Sequence, residues 1–197
     1  IIVIARRRKV LTVESNPALL RKSEDLRGLR AITLTRLGLK ELPPFVQESA
    51  VTLRRLKIGY NHFSELPAGL KDLTSVEELD MSNNHLSNLS NGLLELPSCM
   101  RSLNLSGNML SGLDLRSASH MKCLVSLNLS NNPKLGNLDH IPWRELRALE
   151  ELNVDDTGLT SLPEGLSECP RLAIISAKNN KLVTIPERVL KASPVLH

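Results

Sequence analysis

The sequence predicts an α/β solenoid built from short repeats, each contributing one strand to a parallel sheet. Three observations support this class: apolar residues recur with a period of 23–25 residues, they alternate with polar residues inside each unit, and aromatic residues make up only 2% of the 197-residue chain. A fixed period in this range is typical of stacked repeats. Since 41% of the residues are apolar, we expect an aliphatic core within one domain.

Seven units align in register at their first apolar residue. These first residues are Leu29, Leu53, Val76, Met100, Leu124, Leu149 and Leu172. Each unit then has apolar residues at its fourth and sixth positions and often Asn at its ninth. An earlier unit is predicted around Leu11, because residues 11–19 match residues 127–135 position by position. The sequence therefore predicts a single domain of about eight units over residues 1–197.

The apolar pattern inside each unit predicts a strand with one buried face. Side chains alternate along a strand, so the two apolar residues of Leu-x-Leu lie on one face and the middle residue on the other. Stacked units then share a continuous core. Where the chain turns inward, the recurring Asn side chains are expected to bond backbone groups; they are Asn61, Asn84, Asn108, Asn132 and Asn180. These Asn bonds form a ladder along the stacked units. Leu37 and Thr157 replace Asn in two units, where we expect the ladder to be weaker.

A Leu-Pro or Ile-Pro pair recurs later in the unit, at Leu42-Pro43, Leu66-Pro67, Leu162-Pro163 and Ile185-Pro186. With these pairs and the register above, the chain resembles the leucine-rich-repeat superfamily, and within it the intracellular type of Ras-pathway scaffolds and Roco-type kinases. The resemblance implies a right-handed horseshoe with a parallel concave β-sheet and an irregular or short-helical convex side. It also implies a non-enzymatic, cytoplasmic scaffold or regulatory module in signalling, which binds a protein partner on its concave face.

The charge is unevenly distributed along the chain. Residues 1–60 carry 13 Lys or Arg against 5 Asp or Glu, and the remainder carries 12 against 16. A uniformly basic nucleic-acid-binding protein does not show this division, and Tyr60 alone does not supply the aromatic stacking that such binding usually needs. The apolar start at residues 1–4 is far shorter than the roughly 20 residues that cross a bilayer. We therefore expect neither nucleic-acid nor membrane binding.

The sequence ends inside a unit. Residues 193–196 match residues 169–172 at a spacing of 24, which predicts that Leu196 is the first residue of a further unit. Because a solenoid needs capped ends, we expect the chain to be a segment of a longer protein.

The free face of the predicted sheet supplies the candidate partner-binding residues. This face is basic around Tyr60, acidic in the next unit, small and polar in the middle, and acidic again near residues 150–156. The candidates are Arg30, Arg36, Arg54, Arg55, Lys57, Tyr60, Glu77, Asp80, Asn104, Asn128, Glu150, Asn153, Asp155 and Asp156. In the acidic patch near residues 150–156, neighbouring like charges repel and Asp is a poor strand former, so this patch indicates contact with a partner.

Two structural interpretations compete with partner binding at these positions. Cross-strand pairs of Arg55 with Glu78 and of Lys57 with Asp80 would neutralise part of the basic patch. The acidic residues would alternatively serve only to keep the face soluble, and Asp155 and Asp156 are expected to point to water.

The sequence contains no nucleophile-elbow, phosphate-loop or zinc-binding motif, so we expect no enzyme activity, no cofactor and no metal site. His62 and His85 should stack on neighbouring units as ordinary surface residues rather than as metal ligands. Cys99 and Cys123 are also brought together by the period, and the odd number of cysteines favours reduced thiols. Trp143 is expected to cover its repeat rather than to anchor a partner.

Two other functions are compatible with the sequence. The segment would be the recognition arm of a larger enzyme, such as a kinase or ubiquitin ligase, whose catalytic domain lies outside these residues. Alternatively, it would be a structural spacer in a large assembly, in which case charge reversal on the free face would affect no binding.

Overall fold

The computed structural model describes residues 2–5, 9–15, 28–87, 89, 96–111, 120–192 and 195–196. These residues form one sheet of ten strands that follow each other in sequence order. The strands are β1 (Ile2–Ala5), β2 (Val10–Glu14), β3 (Ala31–Thr35), β4 (Arg55–Lys57), β5 (Glu78–Asp80), β6 (Ser102–Asn104), β7 (Ser126–Asn128), β8 (Glu151–Asn153), β9 (Ile174–Ser176) and β10 (Val195–Leu196). From β2 to β10 all neighbours are parallel. The predicted solenoid with a parallel sheet is therefore confirmed.

The register predicted from the repeats is also confirmed. Leu127 of β7 lies opposite Leu103 of β6 and Leu152 of β8. Leu11 of β2 lies opposite Ile32 of β3, as the match between residues 11–19 and 127–135 requires. The side chains on this face of the sheet are buried in one continuous core, because each unit covers the apolar surface of its neighbour.

The sequence pattern does not predict β1. This strand runs antiparallel to β2, with Ile2 opposite Val13 and Ala5 opposite Val10. Lys9 adopts a φ of 53° where the chain enters β2. β1 therefore occupies the outer edge of β2, whose backbone groups would otherwise be available to another chain. An antiparallel strand interrupts the repeat, so a search for periodicity does not find it.

The expectation for Leu196 is wrong. Leu196 of β10 lies opposite Ile175 of β9, not opposite Leu172. Between these strands the chain passes through an α-helix, α1 (Glu187–Ala192), whereas the helical segments described in other units are 3-10 segments. Leu196 is therefore paired with a residue 21 positions earlier in the sequence, not 24 as the repeat spacing predicts.

In five of the described repeats, a buried or partly buried Asn side chain connects the repeat to the one before it. The Nδ2 of Asn132 donates to the carbonyl of Leu129 in its own repeat at 2.8 Å and to that of Leu105 in the preceding repeat at 3.1 Å. Its Oδ1 accepts from the Leu110 amide at 3.1 Å. Corresponding bonds are made by Asn61, Asn84, Asn108 and Asn180. The predicted backbone role of these residues is confirmed.

The ladder is weaker at Thr157, as the sequence predicts. The Thr157 hydroxyl donates to the Val154 carbonyl of its own repeat at 2.7 Å and lies 2.9 Å from the Asn180 Oδ1 of the next repeat. Within the described residues, this side chain makes no bond to the preceding repeat. Instead, the backbone itself comes close: a Cβ at Gly158, where φ is 74°, would lie 2.8 Å from the Pro133 carbonyl oxygen. Only glycine fits this approach.

Short helical segments lie between the strands. The 3-10 segments span Pro44–Ser49, Leu70–Asp72, Trp143–Glu145 and Glu164–Glu168, and α1 follows β9. Within the described ranges, no helix has the length and apolar character that a membrane crossing requires.

Trp143 is part of the core. Its side chain is buried, its Nε1 donates to the Leu138 carbonyl at 3.1 Å, and its own carbonyl accepts from the Cys169 thiol at 3.2 Å. The expectation that Trp143 covers its repeat rather than anchoring a partner is confirmed.

The first prediction concerns the core. Leu127 is 2% exposed, so Leu127→Ala should lower the free energy of unfolding by about 2 to 5 kcal/mol in a urea titration. Val183 is 84% exposed and serves as the control, since Val183→Ala should change it by less than about 0.5 kcal/mol. Equal losses for the two variants would contradict the assignment of the buried face.

The second prediction compares two positions of the ladder. Asn132→Ala leaves the Leu105 carbonyl and the Leu110 amide buried without their partner, so the loss should be about 3 kcal/mol or more. Thr157→Ala removes one hydroxyl that bonds its own and the next repeat, and it should cost about 1 kcal/mol. Urea unfolding of both variants tests this order. A larger loss at Thr157 than at Asn132 would show that the amide does not hold the repeats together.

Candidate partner-binding face

The face of the sheet opposite the core, called the open face below, carries the candidate residues. In β4, Arg55 and Lys57 are exposed while Leu56 between them is buried, and the strands from β5 to β9 alternate in the same way. The candidates within the strands are Arg55, Lys57, Asp80, Asn104, Asn128 and Asn153. Arg30, Arg54, Glu77 and Glu150 stand directly before strands, and Arg36, Tyr60, Asp155 and Asp156 follow them. The structure therefore places all candidates on the open face or at the strand ends beside it.

The basic candidates lie next to each other at the β2 end of the sheet. The amide of Arg54 donates to the Arg30 carbonyl at 2.8 Å, and the amide of Arg30 donates to the Lys9 carbonyl at 2.7 Å. Arg101 occupies the same position before β6, since its amide donates to the Glu77 carbonyl. Lys9 and Arg101 are additional cations that the sequence analysis missed. Their position directly before a strand is the signal that would have found them.

The expected cross-strand ion pairs are wrong in their partners. The register does place Arg55 opposite Glu78 and Lys57 opposite Asp80, but the ion pair of this region joins Arg54 Nε to Glu77 Oε1 at 3.4 Å. Arg54 Nη1 also donates to the Ser75 carbonyl at 3.0 Å. Register fixes Cα positions, whereas an ion pair also depends on the direction in which each long side chain leaves the sheet.

Arg36 and Tyr60 contact each other at the other end of the strands. The Arg36 guanidinium carbon lies 4.4 Å from the centroid of the Tyr60 ring, and Arg36 Nη1 donates to Glu14 Oε1 at 2.8 Å. Both residues have a φ of 55°, which bulky side chains rarely adopt. The equivalent positions with positive φ hold smaller residues, namely Ser15, Asn83, Gly107, Asn131, Asp156 and Asn179. Arg36 and Tyr60 are thus the bulky members of this column.

Four candidates are held by the backbone that follows them. The side-chain Oδ1 of each accepts a hydrogen bond from the amide two residues later, at 2.9 to 3.1 Å; the four are Asp80, Asn104, Asn128 and Asn153. This local bond is typical of Asn and Asp where a strand ends. It explains why these residue types recur, and their contact with a partner stays a prediction.

The acidic candidates near β8 fall into two groups. Glu150 and its neighbour Glu151 are exposed. Asp155 Oδ1, in contrast, accepts from the Ser176 hydroxyl at 2.7 Å and from the Lys178 amide at 2.6 Å. The expectation that the Asp155 side chain points to water is therefore wrong, because this position faces the backbone of the next repeat.

Asp156 also contacts the next repeat. Its Oδ2 accepts from the Asn179 Nδ2 at 3.3 Å, and its φ is 55°. Asp156 is only partly exposed, so it too is less free than the sequence suggests.

His62 and His85 stack as predicted. Their ring centroids are 5.2 Å apart with an interplanar angle of 28°, and Nδ1 of His62 lies 3.1 Å from Nε2 of His85. Within the described part of the chain, no group of three or more His, Cys, Asp or Glu side chains is arranged to hold a metal ion.

The three cysteines are free thiols. Cys99 Sγ donates to the carbonyls of Thr74 at 3.1 Å and Val76 at 3.2 Å, and burial raises the pKa of the Cys99 thiol. Burial also raises the pKa of Cys169 to about 12. Cys123 is exposed.

Two family models match parts of this chain. The model described as "Leucine Rich repeats (2 copies)" matches residues 100–143, and the one described as "Leucine Rich Repeat" matches residues 75–97. No curated protein matches the sequence significantly.

Two solved structures share the fold. A plant peptide hormone receptor, RGFR1, in complex with RGF2 has 22% sequence identity and a TM-score of 0.61, over 84% of this chain and 31% of its own. An internalin (inlF) from Listeria monocytogenes has 19% identity and a TM-score of 0.63, over 97% of this chain and 46% of its own. The chain therefore spans less than half the length of either structure.

The third prediction concerns the order of thiol reactivity. Because thiolate is the reactive form, Ellman's reagent at pH 8 should modify the exposed Cys123 first, Cys99 more slowly, and Cys169 only after unfolding in urea. The unfolded chain releases its thiol proton near the usual pKa of 9.0, well below the folded value for Cys169. The free energy of unfolding should therefore fall as the pH rises above 9.

Two variants check the assignment of these thiols. Cys123→Ser should remove the fast phase, and Cys169→Ala should reduce the loss of stability at high pH. If neither Cys99 nor Cys123 reacts with Ellman's reagent until the protein has been reduced, the two residues form a disulfide instead.

Proposed function

We propose that this chain, whose repeats match leucine-rich-repeat models over residues 75–97 and 100–143, is a non-enzymatic module that binds a protein partner on the open face of its sheet. We further propose that it acts in the cytoplasm, as a scaffold or regulatory domain in signalling, because its Leu-Pro repeats resemble that intracellular class. Repeats of this superfamily generally mediate interactions between proteins, which is consistent with the proposal.

The Arg36–Tyr60 contact is the observation that carries the proposal. Tyr60 is 48% exposed and the Arg36 side chain is 54% exposed, so neither is required to fill the core. A left-handed backbone conformation at such residues costs of order 1 kcal/mol or more each. The turn would therefore be more stable with Asn or Gly at both positions. Selection of Tyr and Arg despite this cost favours a role in contact with a partner, where these two residue types often dominate the binding energy.

The surroundings of this contact support binding because they hold it in place. The Arg36 amide donates to the Tyr60 carbonyl at 3.0 Å, and the Tyr60 amide donates to the Ser82 carbonyl at 2.8 Å. Arg36 is also fixed by Glu14 on the preceding repeat. A surface that is already ordered loses little conformational entropy when a partner docks.

A neighbouring structure gives the proposal a precedent. The plant receptor with a similar fold is a peptide hormone receptor in complex with RGF2. A repeat fold of this kind therefore occurs in a protein that functions as a receptor for a peptide hormone.

The fourth prediction tests the proposal through Tyr60→Asn. Asn tolerates the left-handed conformation, so this variant should keep its free energy of unfolding within about 1 kcal/mol of the wild type. The wild-type protein, immobilised and exposed to native cell extract, should retain at least one protein that Tyr60→Asn retains about ten-fold less, a loss of roughly 1.4 kcal/mol. Quantitative mass spectrometry of the retained proteins measures this difference.

The matched control is Val51→Ser, which alters an exposed apolar residue, 74% accessible, that lies before β4, whereas Tyr60 follows β4. It should retain the same proteins as the wild type. Identical retention by all three proteins would overturn the assignment of the binding surface to the region of Tyr60. Retention lost equally in both variants would point to general apolar adsorption and would also count against it.

A further inference from the structure

A stripe of cations borders the open face at the β2 end of the sheet. This basic stripe consists of Lys9, Arg30, Arg54, Arg55, Lys57 and Arg101, all of which are exposed. Lys9, Arg30, Arg54 and Arg101 stand directly before β2, β3, β4 and β6, and Glu77 holds the position before β5. Hydrogen bonds between successive backbones join these positions into one column.

Most of the stripe is not neutralised within the described residues. Arg54 pairs with Glu77 at 3.4 Å, but no described carboxylate comes within 4.0 Å of the charged groups of Arg55 or Lys57. Asp80, opposite Lys57, accepts a hydrogen bond from the Ser82 amide at 2.9 Å, which fixes its carboxylate toward the turn. The stripe therefore keeps an excess of positive charge at the surface.

The excess charge has no structural use that the fold reveals. Like charges on adjacent strands repel, and the exposed side chains contribute nothing to the core. Next to them, Thr12 and Thr33 form a floor of small side chains on β2 and β3. Charge complementarity is the usual way in which such a surface gains binding energy and a fast association rate.

We propose that the basic stripe binds an acidic, extended peptide segment of the protein partner, a step that rests on the proposed function. From β2 to β6 there are four strand spacings of about 4.8 Å, or about 19 Å in all. An extended chain covers this distance with about six residues at about 3.3 Å each. The segment is therefore short, and its carboxylates meet the guanidinium and ammonium groups of the stripe.

The acidic end of the sheet favours a short acidic peptide over a long polyanion. Glu150 and Glu151 are exposed on the same face at β8, so a nucleic acid or an anionic membrane laid along the sheet would meet repulsion there. Base stacking is also poorly served, because Phe63 and Trp143 are buried and Tyr60 is the exposed aromatic residue. A segment of about six residues avoids the acidic end entirely.

The fifth prediction uses a fluorescein-labelled hexaglutamate peptide as the probe and fluorescence anisotropy as the readout. The wild-type protein should bind hexaglutamate, and binding should weaken as the salt concentration rises. The double variant Arg55→Glu/Lys57→Glu should bind it at least about ten-fold more weakly, because two attractive contacts become repulsive. Circular dichroism shows whether the variant is folded, and Arg55→Gln/Lys57→Gln provides a milder second variant.

The matched control is Arg147→Glu/Arg171→Glu, which changes the net charge equally at exposed positions outside the stripe. It should bind hexaglutamate within about two-fold of the wild type. Equal weakening in the two double variants, or no binding of hexaglutamate at low salt, would overturn the inference. Tighter binding of a hexathymidylate oligonucleotide or of phosphatidylserine vesicles than of hexaglutamate would also overturn it.

The two proposals fail separately. If Tyr60→Asn loses a retained protein while hexaglutamate does not bind, the interaction module stands and the acidic segment is wrong. If hexaglutamate binds the stripe but Tyr60→Asn retains every protein, the partner does not use the region around Tyr60.

Discussion

The hydrogen bonds of the buried Asn side chains are the constraint on which the rest of this structure depends. After each short strand the chain turns toward the core, where its amides and carbonyls have neither water nor a regular backbone partner. One Asn side chain bonds backbone groups in two successive repeats. Asn132, for example, donates to the carbonyls of Leu129 and Leu105 and accepts from the amide of Leu110. Since an unpaired buried polar group costs about 1 to 3 kcal/mol, each repeat that carries this Asn is held in one position relative to the last. A single register for the whole sheet is the consequence.

This constraint also determines where the surface can carry function. The residue before the ladder position has a positive φ in repeat after repeat, and most repeats meet this requirement with Asn, Asp, Ser or Gly. Arg36 and Tyr60 meet it with bulky side chains that contact each other at 4.4 Å. The strained conformation directs both side chains to the end of the open face. The same turn that organises the core therefore presents the most distinctive pair on the surface.

The parts of the structure that depend on the repeat could be predicted from the sequence, and those that depend on side-chain direction could not. Periodicity is sufficient to place Leu11 opposite Ile32 and to put Arg55 opposite Glu78. It does not say that Arg54 will instead reach Glu77. Asp155 illustrates the same limit, because an alternating pattern places it near the open face while its carboxylate bonds the backbone at Lys178. β1 lies outside the periodic pattern altogether, and only its apolar composition marks it as a possible strand.

The opposite charges carried by β4 and by β8 on the open face act almost independently of each other. β4, with Arg55 and Lys57, and β8, with Glu151, are four strand spacings or about 19 Å apart, whereas the Debye length at physiological ionic strength is about 8 Å. Glu150 and Glu151 therefore do little to neutralise Arg55 and Lys57 across solvent. Arg101, directly before β6, is the cation of the stripe nearest to them, two strand spacings or about 10 Å away. The acidic pair matters most to a ligand long enough to reach from β4 to β8. Such a ligand would have to be acidic along one half and basic or neutral along the other, so the charge division sets both the direction and the length of what this face can accept.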